Sequence, residues 1–238
     1  MIKAVLFDLD GTLLPMDQEE FTKGYFKLLS EKLSPYGYEL KSLIGTIWAG
    51  TAAMVKNNGS QSNESVFWEK FSEMYGKEKT LKDKSLFDDF YAETFEEAKA
   101  FCGFHAKAAE TVRKAKQFGY KVVLATNPIF PQIATERRIR WAGLYPEDFE
   151  ICTTYENTCY CKPNPEYYRD IAERLGVQPE ECLMVGNDVT EDMIAETVEM
   201  KVFLLTNCLI NKERKDISVY PRGNFKQLIK LLKEERSV

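Results

Sequence analysis

The chain has 238 residues, of which 44% are hydrophobic, 13% aromatic and 29% charged, a balance that supports a sizeable core and excludes disorder. Its formal net charge is -5 with no block of Lys or Arg, so the electrostatic footprint of a nucleic-acid binder is missing and anionic membranes are disfavoured. No secretory signal is read at the start, where Asp8 interrupts the apolar run, and the longest uncharged stretch, Ser42 to Val55, is too short to span a bilayer.

The first predicted element is a buried strand, Ala4 to Phe7, followed at once by Asp8-Leu9-Asp10-Gly11-Thr12. From about Met16 to Cys102 no strand is expected. Four amphipathic helices are predicted there instead, near 17–34, 39–56, 64–76 and 83–100. The polar run Asn57 to Asn63 is a loop between the second and third. Short connections imply an antiparallel bundle. The uncharged segment around Trp48 reads as the interior of that bundle, the alternative being that it presents residues to a substrate.

Strands then alternate with helices. Strands are predicted at Lys121 to Ala125, Phe149 to Thr153, Cys182 to Val185 and Val202 to Leu205. Helices are predicted at about 106–118, 131–141, 165–175, 190–197 and 224–234. Gly119 and Gly176 stand where helices should stop, and Pro179 blocks continuation of the second. This alternation specifies a doubly wound parallel α/β sheet. The expected organisation is an α/β core built from 1–15 and 103–238, interrupted by a helical cap domain over 16–102.

In such sheets reactive groups collect beyond the carboxyl ends of the strands. Strand one delivers Asp8 and Asp10, and strand two Thr126-Asn127. Beyond strand three comes Lys162-Pro163. Strand four delivers Gly186-Asn187-Asp188, with Asp192 four positions on. Taken singly, each has a plainer reading. Asp10-Gly11 could be turn chemistry, Thr126-Asn127 a strand end and helix cap, Lys162 a solvated lysine, and Asp192 a helix-start residue.

Together they place several carboxylates in one crevice. These would repel one another unless a hard cation shared them, and Mg²⁺ takes oxygen ligands. Asp8 and Asp188 are the direct metal candidates, with Asp192 acting through a water. No pattern suits zinc. Asp8 can attack phosphorus, Asp10 can serve as general acid and base, Thr126 can donate to a phosphoryl oxygen, and Lys162 can neutralise charge.

In these four motifs, in this order, the chain resembles the haloacid dehalogenase superfamily over about 1–14 and 105–210. The resemblance implies a Rossmann-like core, a Mg²⁺ ion and an aspartyl intermediate on Asp8. It implies metal ligation by Asp8, Asp188 and the main-chain carbonyl of Asp10, and phosphate contacts from Asp8, Leu9, Asp10, Thr126, Asn127 and Lys162. An Asp at position 10 resembles the phosphatases and phosphomutases; the dehalogenase and phosphonatase branches lack it. Asn187 is a small departure within the fourth motif.

The function expected is a cytoplasmic, Mg²⁺-dependent phosphatase for a small phosphorylated metabolite. A sugar-phosphate phosphomutase and a non-catalytic binding module are the alternatives. Neither nucleic acid nor membrane is an expected partner, and the oligomeric state is open. The lone histidine, His105, reads as structural at the junction of cap and core. Cys159 and Cys161 read as isolated reduced thiols, as do Cys102, Cys152, Cys182 and Cys208.

Overall fold

The computed structural model describes residues 1–236. Its centre is β1 (Ala4–Phe7), flanked in parallel by β2 (Lys121–Leu124) and β4 (Cys182–Gly186). Outside these lie β3 (Ile151–Cys152), β5 (Lys201–Leu205) and β6 (Arg222–Gly223), giving the order β3-β2-β1-β4-β5-β6 with every pairing parallel.

Side chains alternate along each strand, so β1 feeds two cores. Val5 and Phe7 join one with Val112, Leu228 and Leu232, while Ala4 and Leu6 join the other with Tyr167, Ile171 and Met193. The helices covering these faces are α5 (Ala106–Gln117) and α8 (Phe225–Arg236) on one side and α7 (Pro165–Leu175) on the other. Each fully buried Leu, Ile or Phe contributes about 1.5–3 kcal/mol of transfer free energy, so the near-continuous apolarity of the strands is what commits them to the centre.

Between β1 and α5 the chain forms only helices: α1 (Gln18–Leu33), α2 (Leu40–Val55), α3 (Asn63–Tyr75) and α4 (Lys77–Glu93), then a 3₁₀ segment, Thr94–Phe101. Asp17 caps α1 by accepting from the N–H groups of Glu19 and Glu20, and Ser62 caps α3 through the N–H of Ser65. An aromatic cluster fills the insert. Phe71 is fully buried, and its ring centre lies 5.0–5.4 Å from those of Tyr75, Phe87 and Trp68. The chain enters and leaves the insert side by side, through an antiparallel bridge between Met16 and Cys102.

Three expectations need correction. The strand predicted at Phe149 to Thr153 shrinks to Ile151–Cys152, because Phe149 closes a 3₁₀ turn over Pro146–Asp148. The helix predicted at 190–197 is a 3₁₀ segment, Met193–Val198. The Asp188 carboxylate takes up the N–H groups of Thr190 and Glu191 and delays its start. The fourth insert helix begins earlier than 83, at Lys77, and ends at Glu93. The edge strand Arg222–Gly223 was not expected at all.

His105 caps α5, its Nδ1 accepting from the N–H of Lys107 at 3.1 Å. All six cysteines are free thiols. No described helix is long and apolar enough to cross a membrane.

Candidate active site

Asp8 sits at the carboxyl end of β1, where its N–H donates to Val185 O at 2.9 Å and locks it to β4. Lys162 Nζ donates to Asp8 Oδ1 at 2.9 Å and to Asp192 Oδ1 at 2.6 Å. The Thr12 hydroxyl lies 2.9 Å from both Asp8 Oδ2 and Asn187 Oδ1, and its single proton serves one at a time. The Asp8 carboxylate is therefore fixed from both sides.

Two glycines make this packing possible. Gly11 turns the chain with φ +84°, and a Cβ there would meet Asn187 Nδ2 at 2.4 Å. At Gly186 a Cβ would lie 2.1 Å from Asp192 Oδ2. Asp192 uses that space to accept from the Asp188 N–H at 2.9 Å, so both of its carboxylate oxygens are committed, one to Lys162 and one to Asp188.

Asp10 projects to the cavity from the loop after β1. Its Oδ2 is ion-paired to Arg138, on α6 (Gln132–Trp141), while Oδ1 is buried without a partner. Arg138 is fully buried, and its guanidinium stacks 4.4 Å from the Phe130 ring centre. Burial pushes the Asp10 carboxyl above its ordinary range and the Asp8 charge adds to this; Arg138 opposes both without cancelling them.

Burial also raises Asp192, to about 6, against the pull of Lys162. For Lys162 burial acts downward, but the Asp192 and Asp8 charges outweigh it and the ammonium is held well above its ordinary value.

Asp8, Asp10, Thr126, Asn127, Asp188 and Asp192 thus line one cavity together with Asn187 and Glu191. Lys162 lies just beneath it, and the side chain of Leu9 is buried in the core, so only the Leu9 backbone could reach a ligand. Sequence reasoning missed Arg138 and Glu191. Glu191 accepts from Asn127 Nδ2 at 3.1 Å and is pushed by burial to about 7. The adjacent acids Glu191-Asp192 were its only signal; Arg138 lies hidden in the charged run Glu136 to Arg140.

A family model for haloacid dehalogenase-like hydrolases matches residues 2–195. The chain belongs to that family. Among relatives of this hydrolase, YhcW of Bacillus subtilis (strain 168), named for a phosphatase, is 29% identical over 208 residues, 87% of this chain and 84% of that one. The pyrophosphatase PpaX of Bacillus cereus (strain G9842) is 27% identical over 187 residues, covering 79% and 75% of the two chains. A solved 2-haloacid dehalogenase from Pseudomonas syringae pv. Tomato DC3000 superposes with a TM-score of 0.64 over 99% of this chain and all of the other, at 18% identity. That likeness is one of fold alone.

A haloacid dehalogenase-like site of this composition suits a hard divalent cation. Five carboxylates line the cavity (Asp8, Asp10, Asp188, Glu191 and Asp192), and one Asp10 oxygen has no partner. Opposing them are the buried Lys162 and Arg138 and the exposed Lys212. Among the described residues no three His, Cys, Asp or Glu side chains converge into a ready cage. Mg²⁺ needs no such cage, since it takes one or two carboxylates and completes its shell with water and phosphate oxygens.

Proposed function

We propose that this hydrolase is a Mg²⁺-dependent phosphatase that cleaves a small phosphomonoester through an aspartyl-phosphate on Asp8. The observation that carries the reading is the pair of carboxylates on one strand end: Asp8 is held by Lys162 and Thr12, while Asp10 lines the same cavity and keeps one oxygen without a hydrogen-bond partner. The phosphatase and pyrophosphatase named among its relatives support it.

An Asp8 oxygen attacks phosphorus in line with the ester oxygen. The new P–O bond forms as the P–O bond to the leaving alcohol breaks. Asp10, its proton favoured by burial, gives that proton to the leaving oxygen. The ionised Asp10 then takes a proton from water as that water attacks phosphorus. The bond to Asp8 breaks, and inorganic phosphate and the starting carboxylate remain. Lys162 balances charge at Asp8 throughout, and the Thr126 hydroxyl donates to a phosphoryl oxygen.

Mg²⁺ would be held by the Asp8 and Asp188 carboxylates and the Asp10 carbonyl, and would neutralise phosphoryl charge. Asp192, with both oxygens occupied, positions Lys162 and the Asp188 loop. In this reading residues 16–102 are a cap that covers the site and limits bulk water.

Phosphate release from phenyl phosphate tests the proposal. Wild-type protein should release phosphate with Mg²⁺ and stop on EDTA, with recovery on adding Mg²⁺ back. Asp8→Asn should lose at least about 10³-fold. Metal-independent turnover, or an active Asp8→Asn protein, would overturn it.

A further inference from the structure

The cavity above Asp8 has a volume of about 350 Å³, near the small end of ligand sites. Its floor is the polar cluster described above. Its walls and roof are a different chemistry, formed by the rings of Tyr25, Phe26, Trp48, Phe67, Trp68 and Phe130.

Two pairs of polar handles in this roof are turned against each other. Tyr25 and Tyr91 share a hydroxyl–hydroxyl bond of 2.8 Å, and Trp68 Nε1 donates to the Tyr155 hydroxyl at 3.4 Å. What remains for a ligand is ring face. Gln18, Thr22, Thr51 and the Trp48 indole N–H are the few free polar groups on the insert side.

Among the described residues, Lys212 is the one Lys or Arg that lines the cavity. It is exposed and lies two residues beyond Ile210, whose backbone is bridged to Asp188. It therefore belongs to the phosphoryl end. Nothing cationic on the insert side could meet a second phosphate or a carboxylate, and little could satisfy a row of sugar hydroxyls. Burying such groups against aromatic faces would leave them unpaired. A flat apolar group would gain both area and ring stacking.

We propose that the substrate's leaving group is an apolar, ring-bearing alcohol carrying a single phosphate. The proposal rests on the phosphatase reading above and narrows it. Sugar phosphates, phosphorylated carboxylic acids and pyrophosphate are disfavoured, even though a relative is named for the last of these. A sugar-phosphate mutase is disfavoured with them.

The test compares kcat/KM with Mg²⁺ for 2-naphthyl phosphate, fructose 6-phosphate, phosphoglycolate and pyrophosphate. The naphthyl ester should lead each of the others by at least about 100-fold. Trp48 is 51% exposed and packs against Phe26 in a tilted pair with ring centres 5.6 Å apart, so Trp48→Ala should fold. In that variant the preference for naphthyl over fructose ester should fall by about tenfold.

A second arm uses Asp8→Asn protein, with binding read by quenching of tryptophan fluorescence. The naphthyl ester should bind at least about tenfold tighter than fructose 6-phosphate. Equal or better turnover of a sugar phosphate, phosphoglycolate or pyrophosphate overturns the leaving-group assignment and leaves the phosphatase reading standing. Absent turnover with selective naphthyl binding overturns the phosphatase reading while the apolar occupant stands. Absent turnover and unselective binding overturn both.

Discussion

Arg138 has the least legible role at the site. A fully buried guanidinium is costly unless its charge is met, and here Asp10 meets it. Arg138→Met should lower kcat by about 10–100-fold with little change in KM, because Asp10 loses its orientation rather than the substrate its contacts. Arg138→Lys should restore part of the loss. A KM effect alone would assign Arg138 to binding. No sequence pattern pairs residues 10 and 138, since the ion pair exists only once α6 has docked. The motifs are legible for the opposite reason: each begins directly after an apolar strand or ends on a proline. Gly11 belongs with them. Gly11→Ala should abolish activity and cost about 1–2 kcal/mol of stability, since its φ of +84° and the 2.4 Å approach to Asn187 both exclude a Cβ.

At the scale of elements, strands and helices were legible where burial is simple. β1, β2, β4 and β5 are apolar because both faces are covered, and their positions emerged within a residue or so. The misses have local causes. Phe149 was spent on a 3₁₀ turn, and Arg222–Gly223 forms an edge strand too short to show a period. In the insert, helix periodicity was legible but its ring-on-ring packing was not. Phe71→Ala should cost about 3–5 kcal/mol, read by thermal or urea unfolding.

The same insert carries an acid-sensitive contact. The buried Asp83 accepts from Lys79 and from the Tyr38 hydroxyl, and chiefly the Lys79 hydrogen bond holds its carboxyl below the ordinary value. A lowered carboxyl contributes stability that is present above its unfolded value near 4 and is lost as pH falls through the folded one. Asp83→Asn should therefore cost about 1–2 kcal/mol at pH 7 and show a shallower loss of stability below pH 4. An unchanged acid limb would mean that other carboxylates set it.

For the whole molecule, parallel topology does the assembly. Because β1, β2 and β4 run the same way side by side, Asp8, Thr126 and Asp188, far apart in sequence, end at one edge. That convergence could be read from the alternation of strands and helices, which is why the floor of the cavity was anticipated. Its roof was not, because aromatic spacing in helices α1 to α3 reads equally as bundle core or as cavity wall. Only the docked insert separates the two, with Phe71 inside the bundle and Trp48 beside the opening.

The central claim is that Asp8 carries the phosphoryl group. Wild-type protein turning over phenyl phosphate with Mg²⁺ would be quenched in acid and reduced with borohydride, which converts an acyl phosphate to the alcohol. Peptide mass spectrometry should then find homoserine at position 8 and unmodified aspartate at positions 10, 188 and 192. Steady phosphate release with no modification at position 8, or with the modification at another carboxylate, would contradict the account.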